Sequence, residues 1–364
     1  MEELKSKITL ENLLKDKLHC LIANSMEASQ PVLDLIQKET TLLKDHFLPI
    51  SQARFLIKDS KRLQIELNNS CYFLNANANV QLAGQIGLPS AWVNNMIQSE
   101  ISWRTVAMAE LLNRHVQNIT CRNALVRTIG DEARAVLSGR YTRLDSQRLY
   151  VSFIEALRNA GARLFNAAIS EDGLKVYFYG IYENIFEVQT SNGVIYLTVG
   201  VRLSHSDYSL GYLSLRTYLL QVLGANGLVM ENLIKNPYPG TSASGNGNGQ
   251  NNLLPDTLAC SSRIQDILKY IFSKNRISDI LSRVRKALET EINYADKIKT
   301  LENRVSKEEV KELNKLLAAN RVEDGIGNTD GRNLWKLAQG LATVARDKAV
   351  SQKIRLEQIA GSLF

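Results

Sequence analysis

The sequence predicts an α+β fold: a central, mostly antiparallel sheet with packed helices, a helical N-terminal region, and a helical C-terminal region beyond a flexible linker. Three observations carry this. Residues 122–205 alternate short apolar runs with turn signals around one helical pattern. Residues 236–256, NPYPGTSASGNGNGQNNLLPD, are rich in Gly, Asn, Ser and Pro and cannot form a packed element. Beyond them, apolar residues recur at helical spacing. A chain of 364 residues with 45% apolar content can bury more than one core. The expected regions are 1–121 (mainly helical), 122–235 (central α+β domain), 236–256 (linker) and 257–364 (basic and helical).

In chain order, Leu10, Leu13, Leu14, Leu18 and Leu21 mark a first helix, Phe55 to Phe73 leaves room for a strand or two, and helices return over Val80–Met96 and Ser102–Asn118. Leu125–Ile129 and Ala133–Ser138 flank Gly130-Asp131-Glu132 as a hairpin. Asp145 or Ser146 caps a helix whose stripe is Leu149, Phe153, Ala156 and Leu157, and Gly161 ends it. Extended segments follow over Ala162–Ile169, Leu174–Ile181 and Val194–Leu203. Past the linker, Ile264, Ile267, Leu268 and Ile271, then Ile277, Ile280, Leu281, Val284, Leu288 and Ile292, read as helices. Ser306 followed by Glu309 has the form of a capping box, Asp324–Gly331 is a break, and a last helix runs from Asn333 to about Ile359. These helices form either a small bundle or an oligomerisation arm.

Composition narrows the function classes. The start, MEELKSKITLENLL, is charged from its second residue, so no secretory leader is expected, and no apolar run is long enough for a membrane span. The expected home is the cytoplasm. Cys20, Cys71, Cys121 and Cys260 are widely spaced, which speaks for reduced, mostly buried thiols rather than a disulfide or zinc framework. The net charge of +7 lies mainly in residues 257–364, with twenty Lys/Arg against fourteen Asp/Glu. A polyanion partner or a solvated helical face each accounts for that excess. No Gly-Lys dipeptide, HExxH or GxSxG occurs, and the four histidines stand apart, so neither an enzyme nor a metal or other cofactor is expected.

Two clusters carry the functional reading. In Leu174–Tyr179, Lys175, Tyr177 and Tyr179 point to one face; in Val194–Leu203, Tyr196, Thr198 and Arg202 oppose Ile195, Leu197, Val199, Val201 and Leu203. Rings interleaved with cations suit single-stranded nucleic acid if exposed; under a helix they are a second core face. The other cluster is Arg127, Arg134, Arg140, Arg143 and Arg148. A two-residue turn at Gly130-Asp131 sets Arg127 opposite Arg134, a like-charge pair that calls for an anion between them. Arg148 falls at a helix amino end, which favours a phosphate. Salt bridges to Asp131, Glu132 and Asp145 would satisfy part of the cluster without a ligand.

Three stretches resemble a known family. LVRTIGDEARAVLSGRYTRLDS (125–146) and SDYSLGYLSLRTYLLQVLGANGLVMEN (206–232), with QLAGQIGLPSAWVNNMI (81–97) upstream, are similar in order and spacing to a phage- and plasmid-encoded family of domains of unknown function. Asn226-Gly227 and Arg140-Tyr141 match its pattern; Ser146, Ser206-Asp207-Tyr208 and Gly224-Ala225 depart from it. The resemblance implies a mobile-element or phage protein in a bacterial cytoplasm and brings no mechanism with it. The expected function is therefore non-enzymatic nucleic-acid binding, to single-stranded DNA in recombination or replication, by a homo-oligomer and without a membrane partner. The alternative is a structural or protein-interaction component that binds no nucleic acid.

Overall fold

The computed structural model describes residues 2–58, 62–99, 101–119, 122–141, 144–190, 193–211, 213–223, 227–235, 253–318 and 332–364. These residues form an α+β protein with two six-stranded sheets. A long helix α1 (Glu2–Leu42) leads into the first sheet, which comprises β1 (Leu43–Pro49), β2 (Arg54–Lys58), β3 (Arg62–Leu67), β4 (Ser70–Leu74), β5 (Asn123–Ile129) and β6 (Glu132–Ser138). Its order is β1-β5-β6-β4-β3-β2, antiparallel except where β4 meets β6 at Phe73–Leu74. Helices α2 (Ala76–Ile86), α3 (Ser90–Ile97) and α4 (Ser102–Gln117) join β4 to β5 and cover one face of this sheet. There Leu82, Val93, Met108 and Leu112 pack on Phe55, Leu63, Ile65 and Val126.

The first sheet corrects the expected boundary at 121/122. The β5–β6 hairpin belongs with strands drawn from residues 43–74, so that boundary cuts through a sheet. Strand β1, LKDHFLP, escapes a pattern reading because it carries Lys44, Asp45 and Pro49; as an edge strand it tolerates charge and proline.

The second sheet is β12-β11-β10-β8-β7, with β9 paired to β10. Its strands are β7 (Ala162–Ile169), β8 (Val176–Tyr182), β9 (Phe186–Thr190), β10 (Gly193–His205), β11 (Ser214–Gln221) and β12 (Gly227–Lys235), and α5 (Ser146–Asn159) precedes them. The expected strand-strand-helix-strand-strand-strand order is present, extended by β9, β11 and β12. The predicted alternation also holds. Val176, Phe178, Ile195, Leu197, Val199, Val201 and Leu203 face one core, and Tyr177 and Tyr179 face another.

Both faces of this sheet are covered. The C-terminal helices are α6 (Leu253–Ile271), α7 (Lys274–Glu289), α8 (Tyr294–Lys299), α9 (Lys307–Ala318), α10 (Leu334–Ala345) and α11 (Val350–Gly361). Ile264, Leu268, Ile280, Val284, Trp335 and Leu341 join Phe153 of α5 and the apolar sheet face in one continuous core. The region 257–364 is thus neither a separate bundle nor a free arm. Of the expected linker, residues 236–252 lie outside the described residues, and α6 already begins at Leu253. The break at 324–331 also lies outside them. On the opposite face, Leu14, Leu18 and Ile22 of α1 and Ile354 of α11 cover Phe165, Tyr177, Tyr179 and Tyr218.

Local signals agree with these ends. Ser306 and Glu309 form a reciprocal capping box, with Ser306 N–H donating to Glu309 Oε2 (2.7 Å) and Glu309 N–H to Ser306 Oγ (3.3 Å). The single helix expected over 333–359 is instead two, α10 and α11. Cys20 and Cys71 are exposed free thiols and Cys260 is half-buried, contrary to the expected burial; Cys121 is outside the described residues. No helix among the described residues is long and apolar enough to cross a membrane.

The second sheet depends on a close approach at its edge. A Cβ on Gly361 would lie 2.1 Å from the Val229 carbonyl oxygen, so α11 can rest on β12 only with a bare Cα there. Gly361→Ala is expected to lower the unfolding free energy by about 1–3 kcal/mol, the usual cost of overpacking, read from urea unfolding followed by tryptophan emission.

Candidate functional site

Three groups of side chains carry the chemistry: a satisfied ionic hub between the sheets, a buried cationic and aromatic face, and an exposed cationic helix surface.

The hub is built around Arg127, in the middle of β5 and 1% exposed. Its Nε donates to Asp45 Oδ1 of β1 (2.9 Å), its Nη2 to Asp145 Oδ1 (2.7 Å), and its Nη1 to the Asp207 carbonyl (2.7 Å). Burial works against the charge, but Asp45, Asp145 and Asp207 outweigh it and hold the guanidinium above its ordinary range. Asp145 sits at the N-cap of α5, yet its side chain makes no cap bond. Asp207 does that work from the far side: its Oδ1 accepts from the Ser146 amide (2.7 Å) and hydroxyl (2.8 Å). His205 Nε2 faces the Leu144 carbonyl (2.6 Å) and Asp207 Oδ1 (3.0 Å), two acceptors, so this nitrogen carries a proton. Serine, histidine and aspartate therefore meet without forming a nucleophilic relay, since the serine hydroxyl donates to the carboxylate and not to the imidazole.

The expected pairing of Arg127 with Arg134 does not occur. A bulge after Arg127 places it opposite Ala135 and leaves Arg134 outside the paired register, because the hairpin accommodates one extra residue. Arg134 binds Glu39 (2.6 Å) and Glu132 (3.0 Å), with its guanidinium 5.7 Å from the Tyr208 ring centre. Asn77 and Gln81 of α2 both donate to the Tyr208 carbonyl, at 3.3 and 2.7 Å. Residues of the stretches 81–97, 125–146 and 206–232 thus converge on one place, where the sheets meet.

The like-charge pair that calls for an anion exists elsewhere. Arg202 of β10 stands directly opposite Arg216 of β11. Arg202 is 1% exposed and lies 5.8 and 5.9 Å from the ring centres of Tyr177 and Tyr179. Its one ionic partner among the described residues is Glu357 of α11, at 3.7 Å from Nη1. Lys175, half-buried and 6.0 Å from the Tyr177 ring centre, is held below its ordinary range by burial and by the charges of Arg202 and Arg216. Burial raises the Tyr177 and Tyr179 hydroxyls above theirs. Of the two readings of this face, open to a single strand or under a helix, the second holds: Tyr177 and Tyr179 lie beneath α1 and α11, because a tyrosine face with apolar rings also suits a helix that lays leucines across it.

A set of exposed cations lies on α5, α6 and α7 and just before them. Arg140 follows β6 and Arg148 lies in the first turn of α5; both are exposed, and neither makes an ion pair among the described residues. Arg143 is outside the described residues. Helix α6 packs beside α5, where Ser152 and Ser261 hydroxyls meet at 2.7 Å. Its outer side and that of α7 expose Arg263, Lys269, Lys274, Arg285 and Lys286. Tyr270, 54% exposed, stands among them with the Arg276 guanidinium 5.6 Å from its ring centre. Sequence reading passed over Tyr270. Its signal was a tyrosine next to a lysine on the polar side of an amphipathic helix. Among the described residues no group of three or more His, Cys, Asp or Glu could hold a metal ion.

Two expectations test the hub. Arg127→Ala strands two partly buried carboxylates and a carbonyl, and should cost about 3–5 kcal/mol of stability in urea unfolding. Burial alone would raise the Asp207 carboxyl, but the His205 and Ser146 hydrogen bonds and the charges of His205 and Arg127 leave it lowered. Its contribution is present above the unfolded-state value of about 3.9 and is lost as pH falls through the lower folded value. Asp207→Asn should therefore be less stable at neutral pH and lose less stability than wild type on acidification below about pH 4. The chain matches no protein-family model, no curated protein and no solved structure, so the site stands on its own geometry.

Proposed function

We propose that this protein is a non-enzymatic, nucleic-acid-binding protein of a phage or mobile element, acting on single-stranded DNA in the bacterial cytoplasm. The observation that carries the reading is Tyr270, exposed at the α6–α7 turn with Lys269 and Lys274 beside it in sequence and exposed too. A ring open to solvent lets any base stack at about 1–3 kcal/mol, while cations spaced along two helices follow the phosphates. Arg263, Arg285 and Lys286 extend the cationic surface along these helices, and Arg148 adds to it from neighbouring α5. The buried and half-buried set, Arg127, Arg134, Lys175, Tyr177, Tyr179 and Arg202, takes no part in the contact.

A labelled single-stranded oligonucleotide and its duplex, titrated at two salt concentrations and followed by fluorescence anisotropy, test this. The single strand should bind more tightly than the duplex, with affinity falling steeply as salt rises. The triple variant Lys269→Ala/Tyr270→Ala/Lys274→Ala should bind at least about tenfold more weakly and with a shallower salt dependence. No binding at low salt overturns the reading, and full affinity in the variant overturns the interface.

One observation favours a second reading, that of a protein-interaction component. Helices α3 and α4 expose Trp92 (42%) and Trp103 (61%), with Val106 (47%) on the same helix as Trp103. Self-association through this surface would give the expected homo-oligomer. Trp103→Glu should then convert it to monomer in sedimentation equilibrium, and an unchanged mass overturns that reading.

A further inference from the structure

A cleft of about 300 Å³ opens between α1, the second sheet and α10–α11. Its walls are aromatic. Tyr179 and Tyr218 meet edge to face with ring centres 5.1 Å apart, and Phe165 lies 6.3 Å from Tyr218. Gly227 lets Tyr218 stand upright in it, since a Cβ there would come within 2.0 Å of the tyrosine oxygen.

One buried charge lines this cleft. Glu357 is 3% exposed, and its Oε2 accepts no hydrogen bond among the described residues; Arg202, at 3.7 Å, is too distant to give one. A buried carboxylate oxygen in that condition forfeits a hydrogen bond that water would supply, and a ligand donor would restore it. Burial pushes the Glu357 carboxyl up, while the charges of Arg202 and Lys353 and the Tyr179 hydroxyl oppose that rise. The other charged groups of the lining are cationic: Lys353, half-buried one helical turn before Glu357, and Arg346, exposed at the end of α10. On the α1 side, Asn24 and Ser25 add polar groups.

This arrangement selects a molecule with three parts. Donors must meet the carboxylate, a flat ring must lie against the aromatic wall, and negative charge must meet the two cations. The volume is at the lower end of the range for small-molecule sites, roughly 300–1,000 Å³. We propose that the cleft binds a purine nucleoside monophosphate of the guanine type, its ring N–H and exocyclic amine on Glu357 and its phosphate on Lys353 and Arg346. Guanine meets the requirement because it offers adjacent donors on one edge; adenine does not. The site lies apart from the α6–α7 surface and stands whether or not that surface binds DNA.

Isothermal titration of the full-length protein with GMP, AMP, guanosine and inorganic phosphate tests the assignment, with thermal unfolding to verify each variant. GMP should bind most tightly, guanosine and phosphate more weakly. Lys353→Ala, at a half-buried side chain that makes no hydrogen bond among the described residues, should weaken GMP by about tenfold and leave guanosine unchanged. Glu357→Gln should weaken both and remove the preference over AMP. Absence of GMP binding at millimolar concentration overturns the proposal, as does equal affinity for AMP in the wild-type protein, or GMP affinity undiminished in either folded variant.

Discussion

The two halves of this molecule depend on one buried guanidinium. Arg127 leaves the first sheet and meets a carboxylate from β1, a carboxylate from the start of α5 and a carbonyl from the loop after β10. Charge in such a place is stable only when its donors are occupied in good geometry, and the nearby carboxylates keep the cation charged. The arrangement also sets the helix that follows. Because Asp145 is committed to Arg127, α5 takes its cap from Asp207, so the position of the helix depends on the loop of the other sheet. Around this centre Leu125, Leu137, Leu174 and Tyr208 close a small apolar seam between the sheets.

The second sheet shows what it costs to cover both faces. On the face toward α5, α6 and α10 the residues are apolar and the packing needs no polar partners. Toward α1 and α11 the strands carry Lys175, Arg202 and Arg216 among tyrosines. Among the described residues a single carboxylate, Glu357, enters from α11 to meet Arg202, and it does so at a distance that leaves its Oε2 without a hydrogen bond. Helices that bring leucines to the rings bring too few acceptors for the cations. The residual positive potential and the open space beside Glu357 are two consequences of the same packing, which is why a small anion suits that place better than a second polymer surface.

The surface divides differently. Many of the cations that face water lie on α5, α6 and α7, whose opposite sides are committed to the main core, so those helices are amphipathic in the ordinary sense. Nothing inside the protein competes for Lys269 or Lys274 among the described residues, whereas Arg127 and Arg134 are already paired with carboxylates of the fold. A group of arginines close in sequence and a group of cations close on a surface are separate properties, and this chain has one of each.

The residues alone determined much of the scaffold. Alternation in 174–203 set two opposed faces, the stripe through Phe153 set α5, and Ser306 with Glu309 set the start of α9, because these are local patterns of period, capping and turn. What they left open was what lies against each face. Whether Tyr177 and Tyr179 meet water or a helix depends on α1 and α11, which are more than 100 residues away in the chain. Whether Arg127 faces Arg134 depends on a bulge that shifts the register by one residue. The boundary at 121/122 failed for the same reason, since a sheet recruits strands by their edges and not by their order. Sequence period fixes which side chains share a face; only the tertiary structure decides what covers that face, because coverage is a contest among distant segments for the same apolar area.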